Sequence, residues 1–164
     1  MLCSIGNTEF QGENHENLSL RDSVVAPDAR TNKMSDATRQ DDPVWIVETF
    51  LRAMEARDIP AAQAFVSGDF KMVFPGDRRP ESLADLAHNS GHRYRYVAKA
   101  IEGFDVATGD GQFVVYCYGT LYGEWPDGRA FEGIRYIDRF TLVDGKITSQ
   151  HVWNDSAERR ISET

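Results

Sequence analysis

The chain has 164 residues, 41% of them hydrophobic and 27% charged, with a formal net charge of −8. That length and composition suit one soluble globular domain with a real core, and an acidic balance with no Lys/Arg run argues against a nucleic-acid partner. No apolar run approaches a membrane span, no basic start leads into an apolar leader, and Cys3 and Cys117 belong to no CxxC spacing, so a reducing, cytoplasmic setting without a membrane partner is the expectation.

Residues 1–40 are rich in Asn, Ser, Asp, Glu, Thr and Arg and show neither helical nor strand periodicity. Such a segment buries too little apolar surface to offset its ordering entropy, and it reads as a disordered polar tail. Met34 stands just before the first convincing helix and would serve as an alternative start. The folded domain is expected over 41–158, with 159–164 as a C-terminal tail. Asp42-Pro43 is a helix cap followed by a proline suited to the first turn. Val47, Phe50, Leu51 and Met54 then follow at i, i+3, i+4 and i+7, one apolar stripe. Asp58 and Pro60 repeat the cap signal for a second helix that Gly68 ends. Residues 70–74, FKMVF, predict a short strand, broken by Pro75-Gly76-Asp77. A third helix is predicted over roughly 80–89, with Leu83, Leu86 and Ala87 inward and Gly91 as its stop. From about 99 the chain alternates as strands, with turns at Gly109-Asp110-Gly111, Trp125-Pro126-Asp127-Gly128-Arg129 and Val143-Asp144-Gly145-Lys146. Gly119 and Gly123 inside the long third segment suit bends or bulges. Helices that cover one face of a curved antiparallel meander make an α+β domain with a pocket at its open end.

The strand FEGIRYIDRFTL carries an aspartate where an apolar residue belongs. Its even positions, Glu132, Ile134, Tyr136, Asp138, Phe140 and Leu142, share one face, so Asp138 sits among Ile134, Tyr136 and Phe140. A carboxyl buried there suits a general acid or base; the bland alternative is an aspartate satisfied by backbone or hydroxyl donors. Which residues meet it depends on the turns, because a one-residue slip turns a whole strand over. A three-residue loop at Pro126-Asp127-Gly128 pairs Tyr118 with Tyr136 and Tyr116 with Asp138, and is the favoured reading. A two-residue Asp-Gly loop would put Cys117 opposite Asp138 instead. At the next turn, a two-residue Asp144-Gly145 loop pairs Asp138 with His151 and Tyr136 with Trp153, whereas a three-residue loop brings Gln150 to Asp138 and turns His151 away. The apolar parity of Ile147 and Trp153 favours the first; the precedent of the preceding turn favours the second. His88 and His92 read as helix-end residues, and Arg93 and Arg95, alternating with Tyr94 and Tyr96, as a solvated edge. HExxH, GxSxG, GxGxxG and the P-loop are all absent from the sequence.

The order helix–helix–strand–helix–meander, with YIDRFTLVDGKITSQHVWND near its end, resembles the nuclear transport factor 2-like (NTF2-like) superfamily, and within it the SnoaL-like group, over about residues 42–158. The resemblance implies a conical barrel, in which the curved sheet wraps over three N-terminal helices around an internal pocket, and often a homodimer packed through the sheet. Asp138 would fall where ketosteroid isomerase has its oxyanion-hole aspartate, and near the acid/base aspartate of SnoaL-type cyclases. The isomerase's hydrogen-bonding tyrosine and general-base aspartate would fall at Phe50 and Phe74, and the epoxide hydrolase's Asp–Arg–Asp set near Thr120, Tyr118 and Val152, so both sets are missing here. The combined expectation is a small-molecule enzyme without metal or organic cofactor. Asp138 and His151 are its catalytic candidates. Phe50, Phe74, Tyr116, Tyr118, Tyr136 and Trp153 would bind a compact apolar or aromatic carbonyl compound, for cyclisation, isomerisation or dehydration. The alternative is a ligand-binding or dimerisation domain without chemistry.

Overall fold

The computed structural model describes residues 41–162; the polar tail, Cys3 and the alternative start at Met34 lie outside them. The first two helices form where the caps predicted them. In α1 (Pro43–Glu55), Asp42 accepts from the Val44 amide at 2.9 Å, and Ile46, Val47, Phe50 and Leu51 are buried. In α2 (Ile59–Gln63), Asp58 accepts from the Ala61 amide at 3.0 Å. In α3 (Leu83–Arg93), Ser82 is the cap and accepts from the Asp85 amide. This helix starts later than expected and runs through Gly91. Gly68 is no helix stop but lies inside β1 (Val66–Val73). The strands β2 (Tyr96–Gly109), β3 (Gln112–Glu124), β4 (Ala130–Val143) and β5 (Lys146–Asn154) follow, and then a helix that the sequence did not announce, α4 (Ser156–Ser162).

The sheet order is β1-β5-β4-β3-β2. β2 to β5 form the expected antiparallel meander. β1 instead pairs parallel to β5, with Lys71 opposite Ser149 and Val73 opposite His151, so the sheet is mixed and its first and last strands meet. One face of the sheet carries the core: Phe50 of α1 sets its ring edge-on to Phe70 and Phe140 at centroid distances of 6.0 and 6.1 Å, within the favourable range for aromatic pairs. Among the described residues, no helix is long and apolar enough to cross a membrane.

Bulges, more than turns, decide the register. The loop after β3 is the three-residue one, closed by the Gly128 amide on the Trp125 carbonyl, yet Tyr118 does not face Tyr136. The pairing slips between Leu121 and Gly123, where Glu132 and Gly133 together oppose one residue of β3. Gly133 takes φ +71°, the conformation such a bulge needs. Beyond it Cys117 faces Asp138 and Gly119 faces Tyr136. Parity changes with it: Phe131 is buried and Glu132 exposed, and the even positions are buried only from Ile134 onward. The loop after β4 has two residues, Asp144 and Gly145, both at positive φ. A second slip at Thr148, whose hydroxyl donates to the Thr141 carbonyl at 3.2 Å, then moves His151 from Asp138 to Arg139 and puts Val152 opposite Asp138. A third slip lies opposite Gly119, between Ile101 and Gly103.

Gly119 combines φ +156° with a backbone so close to β2 that an added Cβ would overlap the Ala100 carbonyl oxygen. Gly119→Ala should therefore destabilise the domain by about 2 kcal/mol or more, read as a drop in the urea midpoint; an unchanged midpoint would show that the strands part easily there.

Candidate functional site

A cavity of about 350 Å³ opens between α1, α3, the segment after β1 and the start of β2. Phe50 and Phe74 line it, together with Tyr94 and Val97. Asp138 and Gln150 lie at its floor. Asp138 is 0% exposed, and its carboxylate is not alone. Lys99 of β2 reaches across the sheet and sets its Nζ 3.0 Å from Asp138 Oδ2, and Gln150 Nε2 donates to the same oxygen at 3.1 Å. Asp138 Oδ1 and Gln150 Oε1 are buried without a hydrogen-bond partner among the described residues. Lys99, whose side chain is 21% exposed, is the member of this cluster that the cavity's contents meet first.

The Lys99 ammonium also sits 3.6 Å from the centre of the Tyr136 ring, close enough for a cation–π attraction. Below it the Tyr136 hydroxyl and the Cys117 sulfur lie 3.4 Å apart. Burial is the main cause that holds both groups protonated, with the Cys117 thiol raised above its ordinary range and the Tyr136 phenol raised further. The floor is thus one ammonium and one carboxylate, compensated by each other, on a bed of neutral groups. A lysine beside a carboxylate at the bottom of a largely apolar cavity can hold a ligand oxygen and move a proton nearby. Among the described residues no cluster of His, Cys, Asp and Glu could hold a metal ion.

The other residues singled out from the sequence fall elsewhere. Tyr136 is buried on the cavity side, beneath Lys99. Tyr116, Tyr118 and Trp153 are on the opposite face, since each alternates with a buried residue of its strand. His151 is on that face too, paired with Arg139 and stacked on Trp153 with ring centres 6.0 Å apart. Both corrections have one cause, the bulge-shifted registers. Arg93 and Tyr94, read as a solvated edge, line the cavity. Lys99 is the main residue missed. Its signal was the one that exposed Asp138: Val97 and Ile101 flank it at two-residue spacing, so it too is a charge in an apolar parity.

Removing Lys99 would strand a buried charge. Lys99→Met should cost about 3 kcal/mol, and Lys99→Met with Asp138→Leu should recover most of it, since an apolar pair leaves nothing uncompensated. Urea titrations of both variants decide this; a harmless single variant would mean that Lys99 and Asp138 do not meet. The protonated Cys117 and Tyr136 set a second expectation. Their ordinary values are 9.0 and 10.0, and the fold raises both. Unfolding at alkaline pH therefore lets them ionise, and the stability they contribute is complete below about pH 8.5 and lost as pH rises. The urea midpoint should fall between about pH 8.5 and 10.5, and less steeply in Cys117→Ala. A flat profile would contradict their burial.

No protein-family model matches the chain, and no curated protein matches it in sequence. Solved structures do match in fold. An NTF2-like protein from Burkholderia xenovorans is 20% identical, with 74% of this chain and 95% of that one covered and a TM-score of 0.57. A candidate SnoaL-like polyketide cyclase from a Jannaschia species is 18% identical over 75% and 90%, with a TM-score of 0.56. TerC, co-crystallized with polyporic acid, is 19% identical over 74% and 98%, with a TM-score of 0.58. With its helices against one face of a curled five-stranded sheet, this domain has the α+β fold of the NTF2-like proteins and the SnoaL-like polyketide cyclases.

Proposed function

We propose that the domain is a cofactor-independent enzyme that performs acid–base chemistry on a compact aromatic carbonyl compound, with Lys99 and Asp138 as its working pair. The observation that carries this reading is the fully buried Asp138 carboxylate at the floor of an aromatic-lined cavity, capped by an ammonium 3.0 Å away. The ligand's carbonyl oxygen would accept a hydrogen bond from Lys99. Movement of the flexible lysine stem toward that oxygen uncovers the carboxylate. Asp138 then takes the proton from the carbon next to the carbonyl. The C–H electron pair becomes that of an enolate, and the ammonium stabilises the oxygen where the charge collects. Returned to another carbon, the proton gives isomerisation; given to a departing hydroxyl, dehydration; attack of the enolate carbon on a second carbonyl, whose oxygen then takes the proton from Asp138, gives cyclisation. Gln150 holds Asp138 in place, the partner role considered for His151.

The test is deuterium exchange. In heavy water the protein should speed exchange next to the carbonyl of compact aromatic ketones such as 2-tetralone, followed by NMR. Asp138→Asn should lower that rate by roughly a hundredfold while the ketone still binds. No exchange above buffer, or full exchange in the Asn variant, sinks the reading. A second reading, a ligand-binding domain without chemistry, is favoured by the two partners already on Asp138 Oδ2; binding without exchange would establish it.

The same reading includes a homodimer through the outer sheet face. Tyr118, Ile137 and Trp153 form one row across β3, β4 and β5, and Ile137 and Trp153 are 46% and 54% exposed. With Tyr116 and Tyr122 beside them, they make an apolar surface that a second copy would cover. Light scattering should give a dimer at micromolar concentration, and Ile137→Glu should give a folded monomer; a monomeric parent protein would rule this out.

A further inference from the structure

The rim of the cavity carries positive charge that no acid answers. Arg78, in the segment after β1, and Arg93, in the last turn of α3, both line the cavity and are both half-buried. Among the described residues neither forms an ion pair. Elsewhere Arg52 pairs with Glu48 and Glu55, Arg79 with Asp77, Arg95 with Glu124 and Arg135 with Asp155. The chain has 26 acidic residues against 18 basic ones, so unpaired guanidiniums here do not reflect a shortage of carboxylates. The other charged groups of the lining are already engaged or distant from acids: Arg95 is held by Glu124, Lys99 by Asp138 and Glu55 by Arg52, while Arg57 adds a further cation. Arg93 Nε is buried with no hydrogen-bond partner among the described residues. The two guanidiniums also feel each other: burial first, and then the Arg93 charge, hold Arg78 below its ordinary range. Each lies over an aromatic ring, Arg78 over Phe74 at 5.6 Å and Arg93 over Tyr94 at 5.9 Å.

Two half-buried, mutually repelling guanidiniums cost stability unless an anion joins them. A planar carboxylate fits the donor fork of arginine and can be shared between two of them. We propose that Arg78 and Arg93 form a carboxylate-binding rim, and that the cavity takes an aromatic acid whose ring packs on Phe74, Tyr94 and Phe50 and whose carboxylate bridges the two arginines. The inference rests on the cavity as the ligand site proposed above and narrows its occupant from an aromatic carbonyl compound to one that carries a separate negative charge. The division of labour follows from position. The rim binds and orients, and the floor, where Lys99 is already neutralised by Asp138, acts on the far end of the molecule. An acidic protein thereby collects an acidic ligand, because the field inside a low-dielectric cleft is set by the nearest charges rather than by the total.

The test compares 2-naphthoate with its neutral counterpart 2-naphthamide by calorimetry on the full chain. The acid should bind roughly tenfold tighter or better than the amide. Arg78→Gln and Arg93→Gln should each remove most of that preference, weakening the acid far more than the amide. Should either variant fail to fold, the parent protein decides alone: raising NaCl from about 50 to 500 mM should weaken the acid and not the amide. Asp138→Asn keeps or strengthens the preference for the acid while it slows deuterium exchange by roughly a hundredfold, so a failure of the chemistry and a failure of the rim give different results. Equal affinity for acid and amide, binding of neither, or a preference that survives both arginine variants or is insensitive to salt overturns the proposal.

Discussion

One extra residue in β4 and one in β5 decide which side chains meet at the cavity floor. The turns alone would have set Tyr116 or His151 against Asp138. The bulge at Gly133 and the slip at Thr148 each move the pairing by one position, and in a sheet one position exchanges the two faces. The result is a floor of Cys117, Tyr136, Asp138 and Gln150 on the core side, and a row of Tyr118, Ile137 and Trp153 on the other. The two surfaces are one decision: the register that brings Gln150 to the carboxylate is the register that turns Trp153 outward.

Once Asp138 is committed to the interior, its charge constrains the rest of the site. A carboxylate fully out of water needs a cation or several donors; directly opposite it the adjacent strands present Cys117 and Val152, which offer neither, and Gln150 of β5 adds a single amide donor. Lys99 comes from β2, two strands away in the sheet. Its long stem crosses the apolar face and its head rests on Tyr136. Tyr136 and Cys117 stay neutral beneath this pair. The floor thus keeps a single ion pair rather than a field of competing charges, and a change in the position of Lys99 is felt at once by Asp138.

Much of the fold was legible because its signals are local. Asp42-Pro43 and Asp58 act on the backbone two or three residues away, and the Asp-Gly turns close hairpins between neighbours in sequence. Asp138 was legible for the same reason, as a charge within a run of alternating apolar residues. What was not legible is non-local. A bulge reveals itself by mismatch with the partner strand, so Glu132-Gly133 read as an ordinary continuation of β4. The parallel pairing of β1 with β5 joins segments over 70 residues apart, with no turn between them to announce it. α4 carries no strong cap or apolar stripe and forms just past the end of β5, where the Arg159 amide bonds the Asp155 carbonyl. Lys99 carried a readable signal, but a lysine in a strand is so often a solvated face residue that alternation alone does not single it out.

The arginines of the rim show why composition misleads about a site. A net charge of −8 describes the far field of the chain and argues against polyanionic partners that need a broad basic surface. It says nothing of a cleft where a few side chains dominate. Arg78 is carried by the short bridge between Phe74 and Arg78 that closes the segment after β1, and Arg93 by the end of a helix that runs two residues past Gly91. Neither position follows from charge patterning, because the two meet only when α3 is laid across the mouth of the sheet. That placement sets a positive rim above a neutralised floor, and this order matters chemically. On the proposed reading a ligand's charge would be bound where it does no chemistry, which leaves the buried pair free to respond to a carbonyl oxygen instead of being satisfied by the ligand's own carboxylate.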